Sequence, residues 1–110
     1  MKLPHSERAQ VDIRKLRDYC LSPEHPRGRH KARLFTSALG LTARDAEILQ
    51  RALLNAAQAS EAISTGKDDF GERYTVDFLL SGPAGEATVR SLWIVRRDEQ
   101  YPRLVTCYVI

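Results

Sequence analysis

The sequence has few cysteines, few aromatic residues and no long hydrophobic run. Its two cysteines, Cys20 and Cys107, are too few and too far apart for a disulfide framework or a zinc site, so we expect two reduced, buried thiols. No apolar run approaches the ~20 residues of a membrane span. The N-terminal residues MKLPHSERAQ lack the apolar segment of a signal peptide. We therefore expect a cytoplasmic protein with no membrane partner.

The common catalytic signatures are missing as well. The sequence contains no phosphate-binding P-loop, no dinucleotide glycine fingerprint, no metal-ligand spacing and no nucleophile elbow. Its carboxylates form no recognisable catalytic pair. We therefore expect neither a metal nor a cofactor, and any reaction would have to be carried by ordinary side chains.

What is present is a globular composition with an uneven charge. The chain has 110 residues, of which 43% are hydrophobic and 28% charged, as expected for one domain covering residues 1–110. Its net charge of +3 is concentrated at one end, because residues 1–34 hold nine Lys and Arg against four Asp and Glu, and all three histidines. A basic surface favours an anionic partner. A solvated helix face would have the same composition.

Hydrophobic spacing of three and four residues predicts three helices in the first half of the chain. A Ser-Pro pair ends the first helix, Gly40 ends the second, and Thr42 is the N-cap of the third. The buried stripe of the third helix includes Ile63, and the polar residues 64–73 are predicted to form a loop. The predicted helices cover about residues 12–21, 30–39 and 42–62.

The period then changes from 3.6 to 2, which predicts strands. Two short turns connect consecutive strands, so the strands form an antiparallel meander. A small sheet needs a cover on one face, which the helices can provide. The predicted fold class is α+β, with N-terminal helices packed on one face of a three- to four-stranded antiparallel sheet. The predicted strands cover residues 73–80, 86–96 and 103–110.

Alternation gives the predicted sheet two unlike faces. In the last strand the covered face is expected to carry Val105, Cys107 and Val109, and the open face Leu104. The open face is otherwise polar and bears arginines, so it is either a solvated surface or a binding platform. Its polar members are Arg73, Thr75, Asp77, Thr88, Arg90, Arg96, Thr106 and Tyr108.

The densest group of basic residues lies where a loop becomes the second helix, in EHPRGRHKARLF at residues 24–35. A helix start presents free backbone N–H groups and the positive end of the helix dipole. Flanking Arg and Lys side chains make such a position suitable for phosphate. His30 is the candidate general base there. Capping of the helix by His30 or His25 is the simpler alternative, and position alone separates the two histidines.

Three stretches resemble a known family of small bacterial domains. They are KLRDYCLSPEHPRGRHKARLF, FGERYTVDF and VRSLWIVRRDEQYPRLVTCYV, which together cover the chain from about Val11 to its last residue. The family resembles components of toxin–antitoxin-like, polymorphic-toxin and phage-associated systems, which implies a toxin-like or effector role and a small acidic antitoxin or immunity protein as partner.

The architecture also resembles barnase-like, RelE-like and colicin-type ribonuclease toxins, in which helices pack on a twisted antiparallel sheet and RNA is cleaved on the open face. That group has four or more strands, and the fourth strand of this chain would come from the extended residues Arg8–Ile13.

Two functions remain open, so the sequence does not decide whether the protein is an enzyme. The first is a metal-independent endoribonuclease toxin with RNA on the loop–helix junction and the open sheet face. His30 would be its base or acid, Thr106 and Tyr108 would position substrate or donate a proton, and cations would hold the phosphates. The second is a non-catalytic antitoxin, immunity protein or adaptor that binds a partner through the same surface. A homodimer is compatible with both. The predicted catalytic residues are His30, Lys31, Thr106 and Tyr108, and the predicted substrate-binding residues are Arg27, Arg29, Arg90 and Arg96.

Overall fold

A computed structural model describes all residues of the chain, Met1–Ile110. Three helices precede a sheet of four strands, which confirms the predicted α+β class. Two short 3₁₀ turns, Ser6–Arg8 and Ala43–Asp45, precede the first and third helices. The helices are α1, which spans Ile13–Lys15 and continues as a π-helical segment over Leu16–Cys20, α2 (Arg29–Leu39) and α3 (Ala46–Ala59). The strands are β1 (Ile63–Lys67), β2 (Gly71–Gly82), β3 (Gly85–Arg96) and β4 (Pro102–Val109). No helix is long and apolar enough to cross a membrane.

Local signals in the sequence account for the helix ends. The side chain of Asp12 accepts a hydrogen bond from the backbone N–H of Arg14 at 3.0 Å and so caps α1. Gly40 ends α2 in the left-handed conformation, with φ of 73°. Thr42 and Asp45 cap the entry to α3 reciprocally, because the N–H of Thr42 donates to the carboxylate of Asp45 at 2.9 Å.

The sheet is an antiparallel meander in the order β1-β2-β3-β4, with β1 and β4 at its edges. Helices α2 and α3 pack on one face, and α1 lies against the β4 edge. Trp93 and Phe35 are the largest fully buried side chains. Ser91 is the one buried polar side chain, and its hydroxyl accepts from Trp93 Nε1 at 2.9 Å and donates to the carbonyl of Val76 at 2.7 Å. The buried hydroxyl of Ser91 therefore has hydrogen-bond partners both as a donor and as an acceptor.

A bulge in β4 overturns part of the predicted face assignment. Leu92 pairs with Thr106 and Trp93 pairs with Leu104, so Val105 is an extra residue between the two pairs. The alternation changes phase at this point, which puts Leu104 in the core at 2% exposure and leaves Val105 partly exposed on the open face. The predictions for Leu104 and Val105 were wrong because a strict period of two does not include the inserted residue.

The other corrections concern the two edges of the sheet. Residues 63–67 form β1, so Ile63 is not part of α3, which ends at Ala59. Residues 71–72 belong to β2 rather than to a loop, and β2 continues to Gly82, two residues beyond its predicted end. The fourth strand is therefore not Arg8–Ile13. That segment instead makes a single parallel bridge, from Gln10 to Arg103 at the outer edge of β4.

Candidate functional site at the β4 edge

Side chains from α1, α2, β3 and β4 meet where the end of α1 covers the edge of β4. We call this group the edge site and define it as Tyr19, Lys31, Arg90, Thr106 and Tyr108. Lys31 is at its centre, in the first turn of α2, and is half-buried. Its Nζ donates to Tyr19 Oη at 3.0 Å. The same nitrogen lies 4.7 Å from the ring centroid of Tyr19 and 5.9 Å from that of Tyr108, so two aromatic rings flank the cation.

Arg90 is held rigidly on the open face beside Tyr108. Asp77, Arg90 and Tyr108 form one row across β2, β3 and β4. Arg90 Nε and Nη2 donate to the two carboxylate oxygens of Asp77 at 2.9 Å each, a bidentate pair. This pairing raises the pKa of Arg90, with a smaller contribution from Tyr108. The guanidinium is therefore fixed in orientation and keeps other N–H groups for an anionic ligand.

Two buried thiols lie beneath the edge site. Cys20 Sγ is 3.7 Å from Thr106 Oγ1, and Cys20 and Cys107 are both fully buried and unbridged. A hydrogen bond from Cys107 lowers the pKa of Cys20 to about 6, against the opposing effect of burial, and Thr106 and the charge of Lys31 lower it further. The same contact raises the pKa of Cys107. The two thiols therefore shift each other's pKa values in opposite directions.

A tight loop between α1 and α2 fixes Tyr19. His25 Nδ1 accepts the backbone N–H groups of Arg27 and Gly28 at 3.0 Å each, so the ring proton of His25 is on Nε2. The His25 ring lies edge-on to the Tyr19 ring, with centroids 4.6 Å apart. A Cβ at Gly28 would stand 2.1 Å from the carbonyl oxygen of Tyr19, so the loop can approach this closely only with glycine.

The eight predicted site residues divide into two halves. Lys31, Arg90, Thr106 and Tyr108 come together in the edge site. The other four do not join them. His30 and Arg27 are exposed, and neither side chain makes a hydrogen bond or an ion pair. Arg29 lines a cavity of about 820 Å³ beside α2 together with Arg33 and Arg44, and Arg96 lines a separate cavity on the open sheet face.

Sequence reasoning missed Tyr19, Asp77 as the partner of Arg90, and the pairing of the two thiols. Tyr19 stands next to Cys20, but it lies on a different face of the helix from the apolar stripe that defined α1. The predicted alternation puts Asp77 on the open face, and antiparallel register aligns it with Arg90 once the position of the turn is known. No three His, Cys, Asp or Glu side chains lie close enough together to ligate a metal ion.

The elements and their order define an α+β protein with helices on one face of a four-stranded meander and a polar cluster at one edge. The chain belongs to the family described as "Domain of unknown function (DUF6883)", whose model matches residues 2–110. No curated protein matches the chain.

A solved structure shows the same fold. It is a contact-dependent growth inhibition toxin–immunity protein complex from Klebsiella pneumoniae 342, one chain of which superposes with a TM-score of 0.69 at 18% sequence identity. The superposition covers 91% of this chain and 98% of that chain. Similarity at this level of identity establishes the fold, which the two chains share over almost their whole length.

Proposed function

We propose that this protein is a toxin-system endoribonuclease that holds and cleaves RNA at the edge site without a metal ion. The observation that carries the proposal is the state of Lys31. Its ammonium group is half-buried, points between two tyrosine rings and has no carboxylate within ion-pair distance. A partly desolvated cation without a counter-ion is costly, and a phosphate would offset that cost.

The edge site supplies the groups that such a cleavage needs. Attack by the ribose 2′-oxygen, whose proton passes to a solvent water molecule, forms an O2′–P bond and builds negative charge on the phosphoryl oxygens. Breaking the P–O5′ bond then leaves a 2′,3′-cyclic phosphate. Lys31 and Arg90 would stabilise that charge. Tyr19 Oη accepts a hydrogen bond from Lys31, so its own proton is free for donation to the leaving O5′, and Lys31 would offset the charge of the resulting phenolate. The Thr106 hydroxyl would orient the phosphate. In this scheme His30 has no role.

The shared fold supports a place in a toxin system. The structural neighbour is described as a complex of a growth inhibition toxin with its immunity protein. We therefore propose that a small inhibitor protein binds this chain and protects the cell that produces it. A surface that recognises RNA phosphates would also attract an acidic inhibitor.

A second function is favoured by the opposite edge of the sheet. All of β1 is exposed, and Ile63 and Leu79 present apolar side chains at 68% and 62% exposure. A free strand edge with apolar side chains is suited to protein binding. On this alternative the chain is an immunity protein or adaptor without catalysis.

Inducible expression in a bacterial host separates the two functions. We expect growth arrest with discrete fragments of total RNA. Lys31→Met should abolish both, and Tyr19→Phe, which keeps the ring and removes the hydroxyl, should slow RNA cleavage by about 10²-fold or more. The matched control is Lys67→Met, because Lys67 is an exposed lysine on β1 with no ion pair, and it should behave as the wild type.

Two outcomes would contradict the ribonuclease proposal. One is normal growth with intact RNA together with neutralisation of a toxin encoded beside this protein, which would establish the immunity function. The other is growth arrest that persists in both Lys31→Met and Tyr19→Phe, which would place the harmful activity outside the edge site.

A further inference from the structure

A second cavity lies on the open sheet face, away from the edge site. It has a volume of about 460 Å³ and is formed by the ends of β2 and β3 and the turn before β2. Four cations line it, against the carboxylates of Asp69 and Asp98, and one of the four, Arg73, is ion-paired with Asp68 at 3.1 Å. We call it the Phe70 cavity. The side chains that matter here are Lys15, Phe70, Arg73, Ile94, Arg96 and Arg97.

The exposure of the Phe70 ring is unusual for a surface that only contacts solvent. Phe70 is the most exposed large apolar side chain of the protein, at 71% exposure. Hydrogen bonds nevertheless hold both the backbone N–H and the backbone carbonyl of Phe70. Asp68 Oδ1 accepts the N–H groups of Phe70 and Gly71 at 2.8 and 3.2 Å, and the carbonyl of Phe70 accepts the N–H of Arg97 at 3.1 Å. An exposed aromatic ring is thus presented on an ordered backbone.

Gly71 brings this turn close to the sheet. Its φ is +150°, and a Cβ there would stand 2.1 Å from the carbonyl oxygen of Val95. The turn can therefore lie directly over the end of β3, beside Arg96 and Arg97. The result is an aromatic ring next to guanidinium groups, the combination with which proteins bind single-stranded nucleic acid.

The Phe70 cavity and the edge site share one face of the sheet. The pair of Arg73 and Ile94 lies four residue pairs along the β2–β3 ladder from the row of Asp77, Arg90 and Tyr108. Arg96 lies six positions after Arg90 along β3, which is about 20 Å at ~3.3 Å per residue. An extended strand of a few nucleotides could span that distance.

We propose that the Phe70 cavity is a nucleotide subsite in which a base of single-stranded RNA stacks on Phe70 and Arg96 binds a neighbouring phosphate. The proposal rests on the proposed function in that it places this subsite on the same RNA strand as the edge site. It assigns to the cavity a role in substrate binding that is separate from cleavage.

The test is equilibrium binding of a fluorescein-labelled 2′-O-methyl RNA octamer, which cannot be cleaved by attack of the 2′-oxygen. Loss of one stacking platform should weaken binding about tenfold or more in Phe70→Ala, whereas Phe70→Trp should retain it. Arg96→Gln should lower the slope of log affinity against log salt by about 0.7, the value for one phosphate of a single strand. Ile48→Ala is the matched control, an exposed apolar residue on α3 and outside both proposed RNA sites, and should bind as the wild type.

The outcomes distinguish this subsite from the proposed function. Equal affinity of wild type and Phe70→Ala overturns the subsite, even if the protein cleaves RNA. Phe70-dependent binding supports the subsite, even if ordinary RNA stays intact and the cleavage proposal fails. Unchanged octamer affinity combined with weaker binding to a co-encoded protein would make the cavity a protein interface and would also overturn the proposal.

Discussion

The two edges of the sheet differ in whether their outer backbone groups have hydrogen-bond partners. At β4 the chain closes its own edge, because Gln10 donates to the carbonyl of Pro102 and accepts from the N–H of Leu104, both at 2.9 Å. Lys15 Nζ adds a hydrogen bond to the carbonyl of Leu104 at 2.9 Å. At β1 all five residues are exposed and the strand has no outer partner.

The difference shows where a fixed site can form. The β4 edge is covered by α1 and the α1–α2 loop, so side chains from distant parts of the sequence are held at set distances. The β1 edge is short, is interrupted by a bulge near Gly66 and ends in Lys67, three features that discourage unwanted strand pairing. One edge therefore holds side chains at fixed distances, and the other leaves its outer backbone groups without a strand partner.

The largest expected contrast between the two edges is in stability. Leu104→Ala removes a side chain that is 2% exposed at the closed edge, and it should lower the free energy of unfolding by about 2–5 kcal/mol. Ile63→Ala removes one that is 68% exposed at the open edge, and it should change that free energy by no more than about 0.5 kcal/mol. Urea unfolding of both variants measures the difference. Similar losses in the two variants would mean that β1 is buried in an assembly.

The elements of the fold differ in how well the sequence predicts them. The helices α2 and α3 and the strands β2, β3 and β4 have clear periodicity and local stop signals, so their class and order could be predicted. The strand β1 could not, because ISTGK has no apolar alternation and includes a glycine. Its strand state depends on pairing with β2, which is a tertiary effect.

The same limit applies to the edge site. A basic cluster and an open-face pattern were sufficient to select Lys31, Arg90, Thr106 and Tyr108. They could not separate Lys31 from its neighbour His30, although successive residues of a helix lie about 100° apart and face different surroundings. Tyr19 enters the site only because the loop folds back over it, and no local pattern in the sequence encodes that contact.

The second contrast is in pH dependence and arises from the thiol pair under the closed edge. Folding lowers the pKa of Cys20 to about 6, so its thiolate is favoured in the folded state. The resulting stability is complete above the pKa of an ordinary thiol, near 9, and is lost as the pH falls toward 6. Above that range Cys107 acts in the opposite direction, because folding raises its pKa.

We therefore expect the free energy of unfolding to rise between pH 6 and pH 8 in the wild type and to rise less in Cys20→Ala. Lys31→Met should also flatten the rise, since the lysine charge contributes to the lowered pKa of Cys20. Denaturant titrations at three pH values measure the slope. A Cys20→Ala variant with the same slope as the wild type would show that the thiol pair does not ionise in this range.

The smallest expected effect on stability concerns the ion pair between Asp77 and Arg90 beside the edge site. Asp77→Asn removes the carboxylate that holds Arg90 but leaves a side chain of the same shape. Because both partners are substantially exposed, at 38% and 40%, unfolding should change by less than about 1 kcal/mol. On the proposed function, RNA cleavage should nevertheless fall by about tenfold or more, because the guanidinium would no longer be held in position to contact the phosphate.

The matched change is Asp68→Asn, which removes the carboxylate beside Arg73 on the same face. On the proposed function it should leave the rate of cleavage at saturating RNA near the wild-type value, whereas its effect on the turn that carries Phe70 should appear as weaker RNA binding. If the two variants lose cleavage equally, the rate of cleavage depends on the total charge of the open face. The fixed orientation of Arg90 then makes no separate contribution. If Asp77→Asn alone loses cleavage, the rigid pairing at the closed edge is what makes that edge the reactive one.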